Sequence, residues 1–114
     1  MKQLQSNIDN RYLQLMSLLM SVNLEYELTD FEAKVLDEVC RFHVAKKLLN
    51  VSDLLKLDHL ASPAKIHLTF KRLIKKKMII LGTNPEDERI RYVKPSLVGL
   101  RRLEKLTQAC QQAS

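Results

Sequence analysis

The strongest constraint on this sequence is a helix start at Ser62-Pro63. A serine hydroxyl accepts hydrogen bonds from the first N–H groups of a helix, and proline suits the first helical position because that N–H has no partner there. From Pro63 to Lys77 one apolar stripe recurs with a period of 3.6 residues: Ile66, Phe70, Leu73 and Ile74. The pattern therefore predicts an amphipathic helix over 63–77.

Two helices are predicted before this one. Thr29 with Glu32 three residues later is typical of a capping box, so a helix is predicted to begin there and to run to about Phe42 or Val44. A short helix follows over 52–57, with Asn50 or Ser52 as its cap, and residues 58–61 form the turn into Ser62.

After the 63–77 helix the pattern changes to that of strands. Residues 78–81 are apolar and residues 89–94 alternate, while the connection 82–87 contains Gly, Pro, Asn and Asp, so the pair is predicted to be a β-hairpin. A last helix is expected from Leu97 to about Gln111, and its apolar side is Leu100, Leu103, Leu106 and Cys110.

Two short helices joined by a tight turn and followed by a hairpin make a winged helix-turn-helix, so the predicted fold is mainly α with a small β-hairpin. At 114 residues the chain is expected to be one domain, 1–114. Within it, 1–27 would be an N-terminal dimerisation helix, 28–95 the winged helix-turn-helix core and 96–114 a C-terminal dimerisation helix.

The first helix is apolar on more than one side. One row of apolar residues, from Ile8 to Val22, has heptad spacing, and a second row covers another side of the helix. The helix is therefore expected to be buried by a second chain as well as by the core of its own chain. The second row is Leu13, Met16, Met20 and Leu24. The residues predicted to form a homodimer interface are Ile8, Tyr12, Leu15, Leu19, Val22, Leu103 and Leu106.

The net charge of +6 is unevenly distributed. Residues 1–61 contain seven Lys and Arg against nine Asp and Glu, whereas residues 62–114 contain twelve against four. A basic half of this kind favours a polyanionic partner, with nucleic acid first and an anionic membrane surface second; a merely lopsided soluble surface is the alternative.

The helix over 63–77 would be the recognition helix, whose first residues reach base edges in the major groove. Candidate base-reading residues are Ser62, Ala64, Lys65, Leu68 and Thr69, with His67 on the same open side; candidate phosphate contacts are Lys71, Arg72, Lys75 and Lys76. Leu68 would contact a thymine methyl if exposed, or lie partly buried at the edge of the core.

The second strand contributes two further candidates. Arg89 and Arg91 alternate with Ile90 and Tyr92, so both arginines are predicted to project from one face of the wing towards a minor groove or a phosphate. Among the three acids at 86–88, Asp87 is the predicted partner that fixes Arg89.

Enzyme, metal and cofactor chemistry are not indicated. His43, His59 and His67 lack metal-ligand spacing, and the chain contains no Gly-rich phosphate loop. Cys40 lies among apolar helix residues and is interpreted as a buried structural thiol. The most apolar stretch, 13–24, is too short and too interrupted to span a bilayer, so a cytoplasmic protein is expected.

These features together resemble the MarR family of winged-helix transcriptional regulators, over roughly residues 28–106. The resemblance is carried by Leu28-Thr29, Ser62-Pro63-Ala64, the run 73–79, Asp87-x-Arg89 and Ser96-x-x-Gly99. Lys77 stands where the family usually has glycine. The resemblance implies a homodimer that binds a pseudo-palindromic operator, usually as a repressor, with Arg89 as the wing arginine directed at the minor groove.

The expected function is therefore that of a homodimeric, sequence-specific regulator of transcription that binds double-stranded DNA. The alternative is a winged-helix protein-interaction module whose basic face docks an acidic partner, because a fold does not fix a function. Nothing in the sequence specifies an operator, a target gene or an effector ligand.

Overall fold

The computed structural model describes residues 9–113. In chain order its elements are α1 Arg11–Glu25, α2 Asp30–Val44, α3 Val51–Leu55, α4 Pro63–Lys75, β1 Ile79–Thr83, β2 Arg91–Pro95 and α5 Leu97–Ala113. The predicted mainly α fold with one β-hairpin is confirmed. Ile8, the first residue of the predicted dimer seam, lies outside the described residues.

Side chains cap the starts of four helices in the described residues 9–113, and the capping residues are Thr29, Asn50, Ser62 and Ser96. Thr29 Oγ1 accepts from the Glu32 N–H and Glu32 Oε1 accepts from the Thr29 N–H, so the predicted capping box is confirmed. Ser62 caps α4 with Pro63 in its first turn, also as predicted. The cap of α3 is Asn50, whose Oδ1 accepts from the Asp53 N–H at 2.6 Å.

Three helices end at a left-handed residue that is not glycine. Glu27, Lys46 and Lys77 have φ angles of 57°, 58° and 61°. After α4, the Lys77 N–H donates to the Ile74 carbonyl and the Met78 N–H to the Leu73 carbonyl, which is a Schellman ending. The helix therefore ends at Lys75, two residues before the predicted end.

The hairpin is antiparallel, with Ile79 opposite Pro95 and Thr83 opposite Arg91. On its other side β2 is bridged at Tyr92 by Asn50, just before α3. Both strands begin and end later in the chain than the sequence predicts. The first strand continues through Gly82 to Thr83, and the second begins only at Arg91. Arg89 consequently lies in the turn before β2 and not in the strand.

The core lies between α2, α3, α4 and the hairpin. Its most buried side chains are Val35, Leu36, Val39, Leu54, Ile66 and Leu73. The start of α5 is held against the end of α4, because Ser96 Oγ donates to the Lys77 carbonyl and accepts from the Gly99 N–H. Gly99 is required there, since a Cβ would lie 2.5 Å from the Met78 carbonyl oxygen.

Helices α1 and α5 pack against each other and extend the molecule to 62 × 27 × 25 Å. Leu15, Leu19 and Val22 are half-buried on the side of α1 that also carries Asn23 and Tyr26. Asn23 and Tyr26 contact α5 through Arg102 and Lys105, so this seam faces its own chain. Tyr12, also predicted for the seam, is 67% exposed.

The buried side of α5 differs from the predicted one. Gly99, Arg102 and Ala109 are buried, whereas Leu100, Leu103 and Leu106 are only half-buried and Cys110 is exposed. Placing Cys110 on the apolar side was wrong, because the inward register of α5 is set by Arg102. Across residues 9–113, no helix combines the length and the apolar character needed to cross a membrane.

Candidate nucleic-acid interface

Helix α4 separates into a buried side and an open face. Its buried residues are Ile66, Thr69, Phe70 and Leu73. Beyond Pro63, the exposed residues, which we call the open face of α4, are Ala64, Lys65, His67, Leu68, Lys71, Arg72 and Lys75. The open face contains no acidic side chain, so its charge has a single sign.

Three cations of the open face carry no neutralising partner. Within residues 9–113, no acidic side chain forms an ion pair with Lys71, Arg72 or Lys75. Like charges on neighbouring turns of a helix repel each other and are best compensated by an external anion. The open face is therefore suited to a polyanion.

Lys65 is the open-face cation with a fixed neighbour. Its Nζ lies 4.3 Å from the centroid of the Phe31 ring, in a cation–π contact between the first turns of α4 and α2. The contact orients the amine without neutralising its charge. Phe31 and Lys65 are 34 residues apart, so this contact depends on the packing of two helices that are distant in sequence.

Leu68 and Thr69 occupy different sides of α4. Leu68 is 51% exposed at the centre of the open face, as one of its two predicted placements requires. Thr69 is 4% exposed and its hydroxyl donates to the Lys65 carbonyl at 2.9 Å, so its placement on the open side was wrong. The threonine satisfies its hydroxyl within its own helix and packs its methyl group inward.

Lys76 does not belong to the open face. Its Nζ donates to Glu32 Oε1 at 2.7 Å and also to the Glu27 carbonyl, so its charge is used to join the end of α4 to the start of α2. Burial opposes ionisation of Glu32, but the hydrogen bonds from Lys76 and from the Thr29 N–H outweigh it and hold the pKa of Glu32 below its usual value. The sequence predicted a phosphate contact for Lys76 and did not predict this ion pair.

The wing presents two arginines. Arg89 is 90% exposed, and its Nε donates to Asp87 Oδ1 at 3.1 Å, so the predicted Asp87–Arg89 pair is confirmed. The Arg89 side-chain and backbone N–H groups that donate to Asp87 lower the pKa of that carboxyl. Because Arg89 precedes β2, strand alternation does not set its direction; the hydrogen bonds to Asp87 do.

A cavity of about 280 Å³ connects the wing to the helices. It is lined by Asn50, Val51, Ser52, Phe70, Leu81, Arg89, Ile90 and Arg91. The wing arginines therefore lie beside the first turn of α3 and the middle of α4. The α4 residue that lines this cavity is Phe70, which belongs to the buried side of the helix.

Two further observations concern residues outside this surface. Burial raises the pKa of the Cys40 thiol to about 11, as the nearby Asp37 does to a smaller degree against the opposing effect of Arg102, and the predicted burial of Cys40 is confirmed. Arg102 is fully buried, which the sequence did not predict. Over the described residues 9–113, no group of three His, Cys, Asp or Glu side chains is arranged to hold a metal ion.

This geometry defines a winged helix-turn-helix whose second helix and wing carry exposed cations. No family model matches the chain, and no curated protein matches it by sequence. Solved structures match its fold. The S. aureus MepR–DNA complex is similar with a TM-score of 0.69 and 15% identity, over 89% of this chain and 79% of MepR.

Two further structures extend the likeness. The transcriptional regulator Tm0710 from Thermotoga maritima has a TM-score of 0.69 and 12% identity, over 98% of this chain and 75% of its own. A MarR mutant from E. coli has a TM-score of 0.61 and 20% identity, over 90% of this chain and 71% of its own. The fold of this chain is therefore the MarR-like winged helix-turn-helix.

Proposed function

We propose that this protein is a homodimeric, sequence-specific regulator of transcription that binds double-stranded DNA and acts as a repressor. One observation carries the proposal: Lys71, Arg72 and Lys75 form an unpaired cationic face on the second helix of a helix-turn-helix. That helix is the one that enters the major groove in proteins of this architecture. The solved DNA complex of MepR, which shares the fold, supports the same use.

The residues of the interface divide by the information they carry. Ser62, Ala64, Lys65, His67 and Leu68 lie on the first turns of α4 and are proposed to meet base edges, with Leu68 against a thymine methyl. The cations further along α4 are proposed to meet phosphates, which give affinity without sequence preference. Arg89 and Arg91 are proposed to contact the minor groove or the adjacent backbone.

The dimer is proposed to form through the second apolar row of α1. Leu13, Met20 and Leu24 are 60%, 56% and 72% exposed and Met16 is 39% exposed, at spacings of three, four and four residues. The seam of Leu15, Leu19 and Val22 is half-buried towards α5, so the more exposed row is the better candidate for contact with a second copy. Two-fold symmetry would place two recognition helices about 34 Å apart.

Fluorescence anisotropy with the DNA upstream of the protein's own gene tests DNA binding. Arg72→Ala and Arg89→Ala are expected to weaken binding, each by about tenfold, the order expected when a charge-assisted contact is lost. Lys34→Ala is the matched control, because it removes an exposed cation that is not assigned to the DNA interface. Lys34 lies on α2, one helical turn from Asp37, and Asp37 contacts α5 and not α4. Equal affinity of both variants and wild type would refute the assigned interface.

Salt dependence provides an independent measurement. If six to eight lysines and arginines of a dimer meet phosphates, log affinity should fall against log salt with a slope of about −5 to −7. A slope near zero would contradict the phosphate contacts. A preference for the upstream DNA over an unrelated duplex is required for the sequence-specific part of the proposal.

Sedimentation tests the dimer. Wild type is expected to sediment as a dimer at micromolar concentration, and Met20→Glu as a monomer with unchanged helical circular dichroism. Gln14→Glu adds the same charge to an exposed position of α1 outside this row and should leave the dimer intact. A monomeric wild type would refute the two-half-site arrangement. Repression is tested with a reporter under the same upstream DNA, where deletion of the protein should raise expression.

A further inference from the structure

An apolar groove runs along the outer edge of β1, between the end of α4 and the start of α5. Its volume is about 610 Å³, and its apolar lining is Ile74, Ile79, Ile80, Leu81, Leu97 and Val98, with Lys77 at one end. Ile80 is 45% and Leu97 65% exposed. Exposed aliphatic side chains gathered around one strand mark a contact surface more often than isolated ones do.

The backbone of β1 has an unused side along this groove. In the described residues 9–113 the sheet contains β1 and β2 alone, and β2 is bridged on its far side by Asn50. The Val93 N–H donates to the Leu49 carbonyl, away from β1, whereas the Ser96 N–H donates to the Met78 carbonyl and the Asn84 N–H donates to the Ile90 carbonyl. Antiparallel bonding alternates, so Ile80 and Gly82 bond to β2 while Leu81 and Thr83 direct their N–H and C=O groups outward.

Gly82 gives a second indication. A Cβ at this position would meet nothing within 4 Å, and its φ is not positive. Neither crowding within the chain nor backbone conformation therefore requires glycine here. Glycine inside a strand commonly marks a place where another backbone approaches closely.

The charge around the groove selects its occupant. The two segments that form it, 71–83 and 91–103, contain no acidic residue. Lys77 lines the groove. Lys94 is paired with Ile80 in the hairpin, so the side chains of Lys94 and Ile80 lie on the same face of the sheet. Edge strands are usually protected by a charged residue or a proline, and β1 contains neither.

We propose that the edge of β1 binds an extended peptide segment of a partner protein, in which acidic and apolar residues alternate. The segment adds a strand to β1 by hydrogen bonding to Leu81 and Thr83. Its apolar side chains enter the groove on the Leu81 face of the sheet, and its carboxylates lie on the opposite face, towards Lys94. This site shares none of the proposed DNA contacts, so the two functions are separable by experiment.

Amide hydrogen exchange of the full chain, followed by NMR, tests the proposal. The probe is a synthetic eight-residue peptide in which Val and Ile alternate with Asp and Glu. At about ten times its Kd, the peptide should slow exchange of the Leu81 and Thr83 amides by about tenfold. The same peptide with Lys in place of the acids should not protect them; protection by both, or by neither, would overturn the proposal.

Thr83→Pro is the decisive variant. It removes the outward N–H without breaking a bond to β2, and Gly82 before it tolerates the restriction that proline imposes. Binding of the acidic peptide should be lost, while Thr83→Val, which keeps the N–H, should bind as wild type does. Unchanged binding by Thr83→Pro would refute strand addition.

Lys94→Glu tests the charge, and it should weaken binding of the acidic peptide by about tenfold or more, since an attraction is replaced by a repulsion. A variant that binds the acidic peptide as tightly as wild type would refute the selection by charge. If wild type self-associates and Thr83→Pro abolishes that association, the occupant is a second copy of this chain and the proposed partner is wrong. DNA affinity should be the same in Thr83→Val and Thr83→Pro as in wild type, since neither variant changes a charge.

Discussion

Arg102 of α5 forms an ion pair with Asp37 of α2 in which the cation is fully buried and the carboxylate is half-exposed. The Nη1–Oδ1 distance is 2.9 Å, and the exposed fractions of the two side chains are 1% and 48%. Arg102 Nε also donates to Asn23 Oδ1 of α1 at 2.9 Å. One guanidinium therefore joins the α1–α5 pair to the winged-helix core.

The two partners of this ion pair should respond differently to substitution. Asp37→Ala leaves a buried cation with a single side-chain acceptor, and a cost of about 3 kcal/mol is expected because an uncompensated charge remains inside the protein. Arg102→Met removes the buried charge and leaves a carboxylate that water can reach, at a cost of about 1 kcal/mol. Urea unfolding of both variants measures the difference.

Asp58→Ala is the control for these two variants, since Asp58 is exposed in the turn before α4. It should leave the free energy of unfolding within about 0.5 kcal/mol of wild type. If Arg102→Met lowers the free energy of unfolding as much as Asp37→Ala does, the uncompensated buried charge is not the main cost of breaking this ion pair.

The left-handed helix ends provide a second prediction. Lys77 has a φ of 61°, a conformation that costs a residue with a Cβ about 1 kcal/mol and costs glycine almost nothing. Lys77→Gly should therefore raise the free energy of unfolding by about 1 kcal/mol, or the melting temperature by about 4 °C. Lys75→Gly, inside α4, should lower stability by a similar amount.

Calorimetry of this pair checks the sign. Glu27→Gly and Lys46→Gly are also expected to raise the free energy of unfolding. Both residues have positive φ angles and occupy the left-handed position of a Schellman motif, as Lys77 does. A destabilised Lys77→Gly protein would mean that the lysine side chain contributes more than the backbone conformation costs.

These endings also explain what the sequence can predict of the fold. Helix starts are readable because a cap is local: Thr29 with Glu32 and Ser62 with Pro63 lie within a few residues of each other. The end of α4 is not readable in the same way, because the usual marker of such an ending is glycine and Lys77 stands at the left-handed position. The end of α4 was accordingly predicted two residues late.

The same distinction holds for the candidate site. Asp87 and Arg89 are two residues apart, so their pairing followed from the sequence. Lys76 and Glu32 are 44 residues apart, and only the packing of α4 on α2 brings them together. The periodicity of the apolar residues identified the open face of α4. It did not predict the burial of Thr69, because a polar side chain that turns inward leaves no mark in the pattern of apolar residues.

Lys75 and Lys76 are adjacent and provide a matched pair for the DNA interface. Lys75→Ala should weaken DNA binding and reduce the salt slope by about 1 for each site, because the residue is exposed and unpaired. Lys76→Ala should lower the melting temperature, since it leaves Glu32 buried at 3% exposure without its cation, but should leave the salt slope unchanged. Anisotropy titrations at several salt concentrations, combined with thermal melts, separate the two effects. An unchanged slope for Lys75→Ala would exclude a phosphate contact at that position.

Glu32 makes stability depend on pH in a definite direction. Burial opposes its ionisation, yet the hydrogen bonds from Lys76 and Thr29 hold its folded-state pKa below the ordinary 4.5. A carboxyl with a depressed pKa stabilises the fold above its unfolded pKa, and that contribution is lost as the pH falls through the folded pKa.

Wild type should therefore be more stable than Glu32→Gln at pH 7, and the difference should shrink as the pH falls below 4.5. Urea unfolding of both proteins between pH 7 and pH 3 measures this difference, in which the other acidic groups cancel because both proteins carry them. A difference that stays constant over that range would show that Glu32 stabilises the fold through hydrogen bonding alone and not through its charge.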